Sequence, residues 1–328
     1  SKDKHHCFVL DSSGEIRENT FVFMNSRKGF NKLHSVLKKH AKPLSDKKIR
    51  VGLEATGHYS TCLEAFLRKL GLTPVVLNPL STNMHRKAST LRKTKTDKTD
   101  AKSIAGMLVS EAHDPTPRKS YHITELKALS RHRFRLVGYQ SKLKISIVRL
   151  LDLLFPELSR HVSSVHQKSC YQLLLEHPGA HAVASCHLTR LTNILSRNSS
   201  GKHGKAKAVE LKRVAAESIG IESPAMSIEL QQTIRLVLSL KEELSELERK
   251  IKSIMSALGT PLVTIPGISF ILGGIILSEI GDINNFSSPA KLLAFAGLEP
   301  SLYQSGNFRA GHTPMVKRGS GYLRWALL

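Results

Sequence analysis

The chain is short of aromatic residues, cysteine, acid and unbroken apolar runs, and each shortage closes off a class of function. Phe, Trp and Tyr make up 5% of its 328 residues. Base stacking is therefore not the main way it would hold a nucleic acid; charge and backbone contacts would carry that role. The four cysteines, Cys7, Cys62, Cys170 and Cys186, form no Cys-x-x-Cys pair, which argues for reduced thiols in a cytosolic protein and against a disulfide framework. Cys170, His177, His181, Cys186 and His187 make a loose cluster whose spacing matches no standard zinc pattern. Gly201-Lys202 and Gly204-Lys205 lack the following Ser or Thr of a phosphate-binding loop. The longest apolar stretch, 262–280, is interrupted by Pro266, Gly267, Gly273 and Gly274. It reads as a pair of short core helices and as a poor membrane span. No secretory leader is visible.

What the chain has in excess is positive charge. Lys and Arg number 49 against 26 Asp and Glu, a net charge of +23. That is far more than solubility needs and points to a polyanion partner. An anionic membrane surface or a merely basic protein is the blander alternative. Hydrophobic residues at 41% suffice for ordinary cores, and the length allows two or three domains.

Along the chain, 5–11 and 21–24 read as strands of a hairpin, with Asp11-Ser12-Ser13-Gly14 as turn chemistry. A helix over 27–40, a strand over 49–54, a helix over 59–70, a strand over 74–77 and helices near 81–90 and 97–112 follow. That order fits a ribonuclease-H-like α/β domain, though order alone permits other α/β folds. Asp114-Pro-Thr-Pro117 marks a boundary. The division expected is 1–115, then a helical, coiled-coil region over 116–258 with basic faces and a loop near 198–204, then a compact domain over 259–328. Two long helices dominate the middle. In 122–155 the heptad core positions run Leu126, Leu129, Arg133, Leu136, Gln140, Leu143, Ile147, Leu150 and Leu154. In 227–258 they run from Leu230 to Leu258, broken by Thr233 alone. The two could pair with each other or with a second protomer. The segment 262–268 resembles the turn of a helix-hairpin-helix, where a glycine lets backbone N–H groups face a phosphate.

Two acidic motifs stand out against the basic background. Leu53-Glu54-Ala55-Thr56-Gly57 puts Glu54 at the C-terminal end of a strand, where α/β folds place ligands. Lys93-Thr-Lys-Thr-Asp97-Lys-Thr-Asp100 puts two carboxylates three residues apart at the start of a helix. Glu54, Asp97 and Asp100 together could hold one or two Mg2+ ions, which activate a nucleophile and neutralise a phosphate in transfer. On spacing alone, a surface carboxylate and helix N-terminal acids explain them equally well. Lys93, Lys95, Arg131, Arg135 and Lys142, and near the C-terminus Arg309, Lys317, Arg318 and Arg324, are candidate nucleic-acid contacts; a solvated basic face is the alternative.

Taken in order, Leu-Glu-Ala-Thr-Gly, Leu77-Asn-Pro, Lys-Thr-Asp-Lys-Thr-Asp-Ala, Ile265-Pro-Gly-Ile, Phe295-Ala-Gly-Leu-Glu-Pro, Gln304-Ser-Gly and Lys317-Arg-Gly-Ser-Gly-Tyr-Leu-Arg span nearly the whole chain. In this the chain resembles the DEDD transposases of insertion sequences, relatives of the Piv-type invertases that include bridge-RNA-guided recombinases. The resemblance implies a RuvC-like N-terminal domain, a coiled-coil middle and a C-terminal transposase domain. It implies Glu54, Asp97 and Asp100 as catalytic acids and metal ligands, and Ser305 as a nucleophile that forms a phosphoserine link to DNA. It further implies Mg2+, a noncoding guide RNA, a dimer or tetramer, and a cytoplasmic, nucleoid-associated protein with no membrane partner. Without the resemblance, Ser305 reads as a loop serine. The first acid of the family's tetrad would lie before Ser1, so the chain is expected to be a fragment at both ends and catalytically incomplete. Asp11 is read as a turn residue and not as that acid. A RuvC-like nuclease using metal-activated water, and a catalytically dead nucleic-acid-binding remnant, are the competing functions.

Overall fold

The computed structural model describes residues 2–41, 43–45, 48–55, 57–89, 96–110, 121–301, 303–305, 308–309 and 311–328; for Tyr121, Ser305, Phe308 and Arg309 the description covers the backbone. The chain divides into two units, Ser1–Arg118 and Lys119–Leu328.

In the first unit β1 (Lys4–Leu10) pairs antiparallel with β2 (Ile16–Met24), His5 opposite Phe23 and Cys7 opposite Phe21. Asp11 closes the hairpin. Its carboxylate accepts from the Ser13 hydroxyl at 2.6 Å, the N–H groups of Ser13 and Glu15 at 3.0 and 2.9 Å, and Arg17 Nε at 2.9 Å. The Ser13 hydroxyl and these other donors favour the charged form and bring its pKa down to about 2. Asp11 is thus committed to the turn. After it come α1 (Arg27–His40), β3 (Gly52–Glu54), α2 (Thr61–Lys69), β4 (Val75–Leu77), α3 (Pro79–Ser89) and α4 (Asp97–Ser110). Ser26 caps α1 by accepting from Gly29 N–H at 3.2 Å, and Lys38, Lys39 and His40 suit the negative end of its dipole.

Among the described residues the strands of this unit form two ladders: β1–β2, antiparallel, and β3–β4, parallel. Strands of three residues give few ladder bonds, and apolar packing does the rest. Phe23, Leu33, Leu37, Leu63, Leu67 and Leu72 form one buried cluster, with Val51 and Leu53 against it. Val75, Leu77 and Met107 form another with Ile104 and Leu108. Helix α4 packs on β1 and β3. At Gly52 the approach is so close that an added Cβ would lie 2.8 Å from Leu108 and 2.9 Å from Ile104.

The second unit is built on α5 (Tyr121–Leu154), followed by α6 (Leu158–His161), α7 (Lys168–Glu176), α8 (Ala180–Ser185), α9 (Leu188–Asn198), α10 (Lys205–Ala216) and α11 (Pro224–Leu258). The two long helices pack against each other, antiparallel and within the chain. Leu126 is buried with Ile251 and Met255, while Ile147, Leu150 and Leu154 share a core with Leu230, Ile234 and Val237. Arg133, the charged residue on the α5 stripe, pairs with Glu248 at 2.6 Å. Thr233 is buried with its hydroxyl donating to the Glu229 carbonyl at 2.7 Å. Helices α6 to α10, between the two long ones, close one end of the pair.

The remainder is α12 (Phe270–Ile280), α13 (Pro289–Ala296), β5 (Gln304–Ser305), β6 (Phe308–Arg309) and α14 (Gly321–Leu327). Where two short helices were expected over 262–280, a 3-10 turn at Pro261–Thr264 precedes α12, and Gly267 at φ +89° joins them. Gly273 and Gly274 let α12 approach Met255 and Ile251 of α11 at 3.2 Å from where a Cβ would stand. Among the described residues no helix is long and apolar enough to cross a membrane.

Candidate active site: an acid-lined cavity and a serine-bearing ribbon

Glu54 ends β3, and the sheet continues for one bond beyond it, from Ala55 N–H to the Leu77 carbonyl at 2.9 Å. Helix α3 starts directly after β4 and lays Thr82, Asn83 and Arg86 along one side. Thr82 is 6% exposed, and its hydroxyl donates to Glu54 Oε1 at 2.5 Å. From the other side α4 brings Asp100, whose Oδ1 lies 3.7 Å from Arg86 Nε. Arg86 is steadied by Asn83 Oδ1 at 2.7 Å. Glu54, Thr82, Asn83, Arg86, Asp100 and Ser103 line one cavity of about 290 Å3. The closeness of β3 and α4 at Gly52 sets this geometry: Ile104 sits over Gly52, so Asp100, one turn earlier on the same helix, comes level with Glu54, two residues later on the strand.

Asp97 faces elsewhere. It opens α4, and its Oδ2 lies 3.6 Å from His6 Nε2 of β1, with 58% of the side chain exposed. The structure therefore brings Glu54 and Asp100 to one cavity and puts Asp97 one turn away against His6. Among the described residues no three His, Cys, Asp or Glu side chains are grouped closely enough to hold a metal. The donor chemistry of the cavity still fits a hard divalent cation. Magnesium is usually held by one or two carboxylates and keeps its other positions for water and substrate phosphate. Two carboxylates and the hydroxyls of Thr82 and Ser103 offer oxygen donors, and the guanidinium of Arg86 supplies the positive charge beside Asp100.

Ser305 lies in the second unit. It is in β5, paired with Phe308 of β6, at the far end of a two-stranded ribbon. The ribbon is laced by bonds from Ser301 N–H to the Pro314 carbonyl (3.0 Å), Val316 N–H to Glu299 (3.0 Å) and Lys317 N–H to Gly297 (3.2 Å). At its root Gly297 (φ +70°) and Gly319 (φ +115°) allow the backbones of 295–298 and 317–320 to touch, the carbonyls of Arg318 and Phe295 lying where a Cβ would stand. The Phe-Ala-Gly-Leu and Lys-Arg-Gly-Ser-Gly motifs are thus two halves of one support.

The candidate nucleic-acid contacts divide. Arg135, Lys142, Lys317 and Arg318 are exposed. Arg131 is engaged, its Nε and Nη2 donating to Glu279 at 2.6 and 2.9 Å. Arg324 donates to the Ala296 carbonyl at 3.1 Å. Arg309 is placed in β6. Lys93 and Lys95 lie outside the described residues, as does Thr56 of the Glu54 motif. In the Cys/His cluster, Cys170 and Cys186 are buried. Cys170 Sγ accepts from Gln167 at 3.3 Å, and Cys186 Sγ donates to the His187 carbonyl at 3.5 Å.

Comparison with known proteins places the chain in a family. One family model for DEDD transposases of IS110-type elements, described as a transposase, matches residues 1–156. A second, for transposases of the IS116/IS110/IS902 family, matches 259–328. The chain belongs to this transposase family. A transposase for insertion sequence element IS1111A from Coxiella burnetii is 28% identical over 117 residues, 35% of this chain and 32% of that protein. A protein of Streptomyces coelicolor named for the IS117 mini-circle transposase is 23% identical over 318 residues, 93% of this chain and 76% of its own length. The chain thus spans about a third of the first relative.

Several residues of the cavity carry weaker signals in the sequence. Thr82, Asn83 and Arg86 follow Pro79 at helical spacing and form a polar stripe, with Ser103 continuing from Asp100 on α4. A helix whose polar residues share the i, i+3, i+4, i+7 positions, starting just after a strand, was a readable signal. His6 gave none, because its strand alternation equally suits packing. Glu279 was also legible, as the lone charge in the apolar run 270–280.

Proposed function

We propose that this transposase cuts and rejoins DNA for an insertion sequence, with Ser305 as the nucleophile and Glu54 and Asp100 as the acids that hold Mg2+; Asp97, one turn away against His6, stands outside that pair. The observation that carries the reading is the cavity shared by Glu54 and Asp100 in a chain matched at both ends by transposase models. When bound, the ion would offset charge on the phosphate in transfer. The chain's own residues do the rest. Thr82 orients Glu54, and Arg86 presents a cation to a phosphate oxygen at the cavity. The Ser305 hydroxyl oxygen bonds to phosphorus as the bond from phosphorus to one DNA oxygen breaks. The serine proton is balanced by the proton gained on the released DNA hydroxyl. The phosphoserine link keeps a bond that another DNA hydroxyl can attack in reverse, so strands are rejoined without an external energy source.

The excess charge of +23 and the exposed Arg135, Lys142, Lys317 and Arg318 suit a nucleic-acid partner held through its backbone. Low aromatic content suits sequence choice delegated to a paired guide RNA. Assembly as a dimer or tetramer would let the serine of one protomer meet the acids of another, and the coiled-coil pair would be a frame for that assembly. A cytoplasmic, nucleoid-associated location follows from the substrate.

The test is a covalent protein–DNA adduct, trapped by detergent during incubation of the full-length protein with the element's DNA ends and Mg2+. The adduct is expected from the wild type and absent from Ser305→Ala. Cleavage that persists in Ser305→Ala would mean that water is the nucleophile. No cleavage by any full-length form would leave a binding remnant.

A further inference from the structure

Among the described residues Glu279 is the only charged side chain in the core, 2% exposed. Every oxygen it has is used. Oε1 accepts from Arg131 Nε at 2.6 Å; Oε2 accepts from Arg131 Nη2 at 2.9 Å, from Lys127 Nζ at 3.0 Å and from the Ser320 hydroxyl at 2.9 Å. Lys127 and Arg131 are one turn apart on α5. Ser320 is the N-cap of α14, accepting from Leu323 N–H at 3.2 Å. The same contact is extended by rings. The Arg131 guanidinium lies 4.8 Å from the Tyr322 ring centroid, and Phe134 meets Tyr322 and Trp325 edge-on at 5.0 and 5.2 Å.

A buried ion network is a poor device for stability, because well-packed apolar residues would hold the same elements as firmly. What a two-bond guanidinium–carboxylate fork adds is direction. The direction fixed here is that of Ser320, which directly follows Gly319. Gly319 and Gly297 are the interlocked root of the ribbon that ends in β5 and β6. From α5 the chain of support runs through Glu279 to Ser320, to the root, and along the ribbon to Ser305.

We infer that Glu279 is a positioning residue that fixes the root of the Ser305 ribbon on α5 through Arg131, Lys127 and Ser320. The inference rests on the reading of Ser305 as nucleophile. Arg131 belongs to this support, both nitrogens of its fork donating to Glu279.

The experiment measures adduct formation on the element's DNA ends in single turnover across DNA concentrations, with emission from Trp325, the single tryptophan of the chain, as a separate report on the α14 contact. In Glu279→Gln the rate at saturating DNA is expected to fall by about tenfold or more. The half-saturating DNA concentration should stay within about twofold, and Trp325 emission should shift to the red. Ser320→Ala should fall between the two, and Ser320→Thr, which keeps both cap and donor, should recover the rate. A Glu279→Gln rate within about twofold of wild type overturns the inference. If Glu279→Gln does not fold, Ser320→Ala decides, and a wild-type rate there overturns it equally. If Ser305→Ala still forms adduct, the nucleophile reading has failed. Protease resistance of 299–316 in Glu279→Gln then decides whether the root is held: lost resistance supports the support role, and unchanged resistance ends it.

Discussion

Two carboxylate sites, one in each unit, contrast acids proposed for chemistry with an acid proposed for structure. Glu279 is surrounded on all sides, and four donors fill its oxygens. Glu54 and Asp100 border open volume, with Arg86 Nε at 3.7 Å from Asp100. Each site contains an arginine. Arg131 is locked in a fork at 2.6 and 2.9 Å; Arg86 stands at ion-pair distance with room beside it. A site proposed to admit a metal and a phosphate borders open volume, whereas a joint is closed on every side. The difference lies in what fills the space around the acids, and residue type alone does not reveal it.

The comparison can be broken most forcefully at the cavity. Glu54→Gln and Asp100→Asn should each lower adduct formation by on the order of a hundredfold or more, since each removes a carboxylate placed for metal and phosphate. The fold should stay intact, because neither side chain carries the packing of its unit. The check is a detergent-trapped adduct assay beside a thermal melt. Wild-type rates in both variants would mean that this cavity is not where the chemistry occurs.

At the joint the effect should fall on stability. Burial pushes the pKa of Glu279 up, but Arg131, Lys127 and Ser320 outweigh it, and the group is held below its ordinary value of 4.5. A depressed carboxylate contributes stability that is complete above the unfolded-state value and is lost as pH falls through the lower, folded value. Glu279→Gln should therefore cost about 3 kcal/mol at neutral pH, mostly from leaving Arg131 and Lys127 without their anion. The gap to wild type should narrow as pH falls from 4.5 through the lower, folded value, beneath which the native carboxylate too is neutral. Urea unfolding followed by Trp325 emission reads the second unit alone. A gap that is constant from neutral to acid pH would show that Glu279 is not charged in the folded protein.

How much of this was legible in sequence depended on whether the signal was local. The long helices were plain because their heptads repeat a single spacing, and every core position of 126–154 is buried or half-buried in the fold. Their pairing with each other was not legible, since an apolar stripe does not name its partner; Arg133 facing Glu248 across 115 positions is a contact that only the fold supplies. Glu54 and Asp100 could be nominated by strand end and helix start. That Asp100 shares a cavity with Glu54 while Asp97 turns to His6 depends on the rotation of α4, which is set by its packing on β1 and β3. Arg131 looked like a nucleic-acid contact in a strongly basic chain. Its partner Glu279 is 148 positions away, beyond the reach of any local pattern.

The smallest expected effect is at Gly52, where the cavity is tuned without touching an acid. Its Cα is flanked by Ile104 and Leu108 so closely that a methyl group would stand within 3 Å of both. Gly52→Ala must push α4 outward by a few tenths of an ångström or force both side chains from their rotamers, at a cost of about 1–2 kcal/mol. Asp100 rides on the same helix, one turn from Ile104, and moves with it, while Glu54 stays with the strand. Adduct formation should therefore fall by about three- to tenfold even at temperatures where the protein remains folded, because reacting groups tolerate little misplacement. Leu108→Ala in the same protein should restore the spacing on one side and recover part of the rate. A Gly52→Ala protein with wild-type rate and stability would show that α4 yields without shifting Asp100, and the tight packing of strand on helix would then not be what sets the distance between the two carboxylates.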